Sequence, residues 1–201
     1  MMDFLKIQNW WKAKQGELYT ALLKGAAGKI GKGSIIMPPF HSNNIKQLYL
    51  GDHCRVNPYG WIECIPSYAG VEYGAQLEIG DGTYIGHFVH IIAYGKMKIG
   101  KNVVIAERVY ISDNLHGFEC IELPVMPQPL KHPGAVTIED EVWIGDGVCI
   151  LPNVTIGKHS VIGSNSVVTK DIPAYSVAVG IPAKVIKAYN PNTGNWQVVA
   201  K

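Results

Sequence analysis

What this chain has little of narrows it first. Its 201 residues hold no run of about 18 apolar side chains, so no segment is expected to cross a bilayer as a helix. Neither sign of charge dominates. Against 18 basic residues stand 16 acidic ones, and no polyanionic partner, nucleic acid included, follows from that balance. Cysteine is sparse: Cys54, Cys64, Cys120 and Cys149 show neither C-x-x-C spacing nor the density of a stapled scaffold, so buried, reduced thiols are expected. The first eleven residues mix Asp3, Lys6, Gln8 and Asn9 into their apolar positions, unlike a secretory leader. These absences predict a cytoplasmic protein of one domain or one solenoid.

What is present is a period of six. Ile138, Ile144, Ile150, Ile156, Ile162 and Val168 place an aliphatic residue at every sixth position without a break. A small or β-branched residue follows four places on at Val142, Val148, Val154, Ser160 and Ser166. Neither a 3.6-residue helix nor simple strand alternation has this period. A short strand plus a sharp corner does, with glycine or a small residue expected where the backbone bends. Repeated, it gives an all-β parallel β-helix whose stacked coils bury what one coil cannot.

The same period appears less regularly upstream, from Ile30 through Leu50, Val56 and Ile62, then at Ile79, Ile85, Ile91, Ile99, Ile105 and Ile111. Residues 65–76 read as a loop. The step from Ile91 to Ile99 is eight, which implies two extra residues at one corner. Between Ile111 and Ile138 the phase is lost, and Pro124, Pro127, Pro129 and Pro133 argue against strand. A long excursion, residues 112–135, is therefore predicted, and long loops on rigid scaffolds tend to carry function. The expected organisation is a helical cap over 1–28, a β-helix over 29–187 and a tail over 188–201, the last either an edge strand or disordered. Within the cap, Phe4, Ile7, Trp10, Trp11, Leu18 and Leu22 form a broken apolar stripe. That stripe is expected to pack on the first coil, with a membrane surface or partner as its alternative use.

Several runs carry a family resemblance: Val142-Trp143-Ile144-Gly145, Ile150 to Gly157, Val167-Val168-Thr169-Lys170-Asp171-Ile172-Pro173, and Gly180-Ile181-Pro182-Ala183-Lys184-Val185-Ile186-Lys187. They resemble the hexapeptide-repeat acyltransferases, nearest to the maltose and galactoside O-acetyltransferases and related polysaccharide or lipopolysaccharide O-acetyltransferases. The resemblance covers residues 77–187 well and 30–76 loosely. It implies a left-handed β-helix, against the usual right-handed crossover preference, and a homotrimer with active sites between subunits. It also implies acetyl-CoA as donor, with no metal, and a carbohydrate hydroxyl as acceptor.

Within that family His116 matches the catalytic histidine, and an imidazole suits the base that an attacking hydroxyl needs. Relatives often carry a second histidine where this chain has Asn114. Asp113 or Glu119 would orient the imidazole, with Asp113 preferred. The family's coenzyme contacts map onto Trp143, Asp146, Ser164, Thr169, Lys170 and Lys187, although Asp146 replaces a small hydroxyl residue. His87 and His90 fall where related sugar acetyltransferases place polar acceptor contacts, and Tyr84, Tyr110 and Trp61 are candidates for the acceptor wall because aromatic rings stack on sugar faces. A three-histidine zinc enzyme of the same fold would need a ligand five residues after His116, where Ile121 stands. The remaining competitors are an antibiotic-modifying O-acetyltransferase and a non-catalytic scaffold.

Overall fold

The computed structural model describes residues 4–199. In it the chain winds as a parallel β-helix with three faces, each a ladder of very short parallel strands. The first face stacks Lys29–Ile30, Leu48–Leu50, Gln76–Ile79, Lys96–Ile99, Thr137–Ile138 and Thr155–Ile156. The second runs from Ile35–Ile36 through Tyr84–Ile85 and Trp143–Ile144 to Ser176–Val179. The third runs from Phe40–His41 through His90–Ala93 and Tyr110–Ser112 to Val167–Val168.

The period of six becomes register. Ile79, Ile99, Ile138 and Ile156 pair down the first face. Ile85, Ile105, Ile144 and Ile162 pair down the second. Ile91, Ile111, Ile150 and Val168 pair down the third. All twelve point inward and are buried. Each coil thus contributes three aliphatics to one continuous core, and removing such a side chain to Ala costs roughly 2–5 kcal/mol.

Some corners carry the expected glycine at positive φ, as at Gly33, Gly82 and Gly147, but other glycines serve a second purpose. Most corners place a non-glycine residue at positive φ, among them Phe88, Arg108, Glu141 and His159, with Asn102, Asn153 and Asn165 better suited to it. Gly80 and Gly100 are required instead by coil stacking. A Cβ on Gly80 would stand 2.6 Å from the Gly100 carbonyl carbon, and one on Gly100 would stand 2.6 Å from the Asp140 nitrogen.

Residues 65–76 contain a small antiparallel hairpin, Ser67–Tyr68 with Val71–Glu72. The tail is ordered: Lys184–Asn190 and Asn195–Val198 add antiparallel to the second face, ending the parallel stack. Cys54 and Cys64 are buried as expected, whereas Cys120 and Cys149 are only half-buried; all four are free thiols.

The N-terminal helix, Phe4–Leu23, corrects one expectation. It does lie on the first coil, but through Gly16 and Thr20 rather than through its large apolar stripe. The Thr20 hydroxyl accepts from Ile36 N at 2.8 Å and donates to Gly16 O at 2.7 Å. Gly16 sits where any Cβ would strike Met37 and Ile35. Only small residues permit that approach; Tyr19 and Leu23 pack beside them against the core, while Phe4, Trp10, Trp11, Leu18 and Leu22 are exposed. No helix among the described residues is long and apolar enough to cross a membrane.

Candidate active site

The excursion leaves the third face after the strand Tyr110–Ser112. Leu115–His116 pairs antiparallel with Leu130–Lys131, so the loop leaves and returns as a two-stranded ribbon. Its base is clamped by Asp113, whose side chain is fully buried. One carboxylate oxygen accepts from Tyr94 N at 2.7 Å, and the other accepts from Gly95 N at 3.0 Å and faces His132 Nε2 at 3.4 Å. Tyr94 and Gly95 are the two extra residues of the eight-residue step. Tyr94 stacks on the His132 ring at 5.4 Å and donates its hydroxyl to Leu130 O. Burial pushes the Tyr94 phenol up to about 12, so it stays a donor.

The far part of the loop is organised by Gln128, a buried amide. Its Nε2 donates to the carbonyls of Cys120 and Leu123, at 3.0 and 3.1 Å, and its Oε1 accepts from Cys120 N at 3.2 Å. Glu119 pairs with Lys131 across the ribbon, which holds the Glu119 carboxyl below its usual range.

His116 itself is exposed on the ribbon. Its ring meets the edge of Tyr68 at 5.5 Å, and Tyr68 in turn donates its hydroxyl to Met126 O at 2.7 Å. The hairpin at residues 67–72 therefore buttresses the excursion. Neither expected carboxylate bonds the imidazole among the described residues. Asp113 turns into the corner to serve Tyr94, Gly95 and His132, and Glu119 is taken by Lys131. The expectation that Asp113 orients His116 is corrected accordingly: Asp113 holds the loop rather than the ring.

The other expected site residues fall into three groups. Tyr84, Val104, Trp143, Val161, Val177 and Lys187 form one ladder on the second face, and its inward neighbours are the core isoleucines. Trp143 is 54% exposed there. His87, Asp146 and Ser164 stand on the corner between the second and third faces. Here His87 Nδ1 lies 3.0 Å from Glu107 Oε1, and Asp146 accepts from Glu107 N at 3.1 Å. Asp146 thus also ties one coil to the next.

His90 lies on the third face between Trp61, stacked at 4.5 Å, and Tyr110, edge-on at 5.4 Å. Its Nε2 is buried without a partner among the described residues, as is Asn114 Nδ2. Burial depresses the His90 pKa, favouring the neutral ring. Thr169 and Lys170 follow the last strand of the third face, at the corner from which the excursion departs two coils earlier, and both are exposed. Among the described residues no three His, Cys, Asp or Glu groups gather to hold a metal, and His87, His90 and His116 stand on three different surfaces.

One copy does not unite these groups. The Trp143 and Lys187 ladder is on the second face, while His116 hangs from the third. Sequence reasoning missed His132, Tyr94, Tyr68 and Gln128, which shape the loop that carries His116. The one signal for the clamp was the eight-residue step.

Comparison with known proteins agrees with this architecture. Residues 135–170 match the family model described as bacterial transferase hexapeptide (six repeats). The galactoside O-acetyltransferase of Escherichia coli (strain K12) is 34% identical over 189 residues, covering 89% of this chain and 88% of that protein. A putative lipopolysaccharide biosynthesis O-acetyl transferase of the same organism is 37% identical over 123 residues, or 58% of this chain; the match spans 63% of that relative, less than two thirds of its length. Among solved structures, a hexapeptide-repeat acetyltransferase from Vibrio cholerae superposes with a TM-score of 0.58 at 27% identity, covering 86% of this chain and 80% of that one. An N-acyltransferase from Bacillus cereus, solved with dTDP and 3-hydroxybutyryl-CoA, superposes with a TM-score of 0.71 at 20% identity over 87% and 90% of the two chains, a likeness of fold alone. With nearly the whole galactoside O-acetyltransferase matched above 30% identity, the chain belongs to the hexapeptide-repeat acyltransferases.

Proposed function

We propose that this enzyme transfers an acetyl group from acetyl-CoA to a hydroxyl of a carbohydrate, such as a cell-envelope polysaccharide or its precursor. It does so in the cytoplasm, as a homotrimer of left-handed β-helices. The observation that carries this reading is the placement of His116 on a clamped ribbon, in a chain that aligns along nearly its whole length with a galactoside O-acetyltransferase. Because Trp143 and Lys187 lie on another face, the site is completed between neighbouring copies, one giving the His116 loop and the other the ladder.

The residues suit an elongated, phosphate-bearing thioester. Val104, Trp143 and Val161 offer a continuous apolar wall for its pantetheine arm, while Lys187 and Lys170 offer compact cations for its phosphates. Asp146 and Ser164 stand at the corner beside that ladder, and Thr169 stands next to Lys170. Acetyl-CoA, when bound, supplies the acetyl group as a thioester. His116 takes the acceptor hydroxyl's proton as that oxygen attacks the carbonyl carbon. A C–O bond forms, the C–S bond breaks, and His116 returns its proton to the departing thiolate. Transfer is direct, because among the described residues no Cys or Ser side chain is hydrogen-bonded to His116 to act as a nucleophile. His90, with His87 and Tyr84, provides the polar and aromatic surface for the sugar.

Thiol release from acetyl-CoA with a panel of sugars and antibiotics tests this directly. His116→Ala is expected to lower kcat by roughly 10²- to 10⁴-fold with acetyl-CoA affinity retained, and Lys170→Ala to do the reverse. Activity confined to antibiotics, or undiminished in His116→Ala, would refute the reading.

A further inference from the structure

The N-terminal helix is built inside out. Phe4, Ile7, Trp11, Leu18 and Leu22 follow one another at spacings of three, four, seven and four residues, which lines them along one stripe. Gly16 and Thr20, which seat the helix on the coil, lie about 160° round the axis from that stripe. The protein-facing side closes on Gly16 and Thr20, flanked by half-buried Tyr19 and Leu23 that pack against the core, and the outward side is bulky, apolar and exposed. Phe4 is 75% exposed, Trp11 63%, Leu18 66% and Leu22 72%. Burying such side chains against a partner is worth far more than leaving them wet.

Charge identifies the partner. Across residues 4–24 the cations are Lys6, Lys12, Lys14 and Lys24 against the single acid Glu17, which pairs with Lys14 at 2.7 Å. Trp10 and Trp11 meet edge to face at the rim of the stripe, with Lys6 beside them. A second copy of this helix would bring lysines against lysines. An anionic lipid surface satisfies both features at once, taking the apolar stripe into the acyl boundary and the lysines among its phosphates. The helix is not apolar enough to cross a bilayer, so it would lie in the interface plane.

We infer that the helix Phe4–Leu23 docks this protein on an anionic membrane surface through the stripe of Phe4, Ile7, Trp11, Leu18 and Leu22. Docking leaves the solenoid in the aqueous phase. This inference is independent of the chemistry at His116.

Vesicle flotation of the full chain tests it, with phosphatidylcholine alone and mixed with phosphatidylglycerol. The wild type is expected to float with the mixed vesicles and to remain in solution with the neutral ones. Replacing Lys6, Lys12 and Lys14 by Gln should weaken partition about 100-fold, near fivefold per lysine. The pair Trp11→Ser and Leu18→Ser should abolish flotation while leaving circular dichroism, solution mass and acetyl transfer to a soluble sugar unchanged. No flotation of the wild type would overturn the inference. So would a fall in solution mass in the serine pair, which would assign the stripe to a contact between copies.

Discussion

The coil stack and the excursion are held together by opposite means. Down the stack, every coil repeats the same three buried aliphatics against the coils above and below, so stability is spread along the length and no single contact is special. The excursion has few such contacts. It depends on polar groups with many bonds each: Asp113 at its base, with two backbone donors and His132, and Gln128 in its middle, with three bonds drawn from Cys120 and Leu123. The difference shows how a rigid prism can carry an adaptable site. Core substitutions should lower stability without touching chemistry, whereas clamp substitutions should do the converse.

The largest expected effect on stability sharpens that contrast. Ile144→Ala removes a fully buried side chain between Ile105 and Ile162 and is expected to lower unfolding stability by roughly 2–5 kcal/mol. The kcat of the surviving folded enzyme should stay at the wild-type value. Chemical denaturation alongside steady-state kinetics reads both, and a kcat loss matching the stability loss would break the comparison.

Asp113→Ala comes next. It leaves the Tyr94 and Gly95 N–H groups without their carboxylate, at a local cost of about 2–3 kcal/mol. The expected outcome is a sharp fall in kcat with only a modest shift in Tm, together with faster proteolysis within residues 112–135. Unchanged loop proteolysis would show that the clamp does not order the ribbon. If Asp113 oriented the base instead, kcat would fall with the loop still protected.

The smallest effect concerns pH. His90 has a folded pKa below its unfolded one, because burial between Trp61 and Tyr110 disfavours its charged form. The unfolded chain therefore binds the proton more readily. Stability is fully present above the ordinary histidine value, declines as pH falls from that value to the depressed folded value, and is level below it. His90→Gln should flatten this part of the stability profile relative to wild type, as urea midpoints across that window would show.

Much of the stack could be read in advance because its contacts are periodic: the isoleucine that names a coil also names its partners in the coils above and below. The glycine pattern was visible, but its reason was not. A sequence marks Gly80 and Gly100 without showing that the next coil's backbone is what excludes a Cβ. The helix was misread in direction only. An apolar stripe shows which residues share a face, not what that face meets, and Gly16 and Thr20, which seat the helix, carry no hydrophobic signal. In the site, His116 stood out through its motif. The clamp did not, because Asp113 reaches Tyr94 and Gly95 some eighteen positions upstream and His132 across the returning strand. The eight-residue step recorded the two extra residues but not the carboxylate they serve.

The most direct test of a site shared between copies is complementation. His116→Ala and the Trp143→Ala, Lys187→Glu pair are each expected to be inactive alone. Refolded together as mixed trimers, they should regain activity at roughly a quarter of the sites, those that join an intact loop to a neighbour's intact ladder. A mixture as inactive as its components would contradict a site built from two chains.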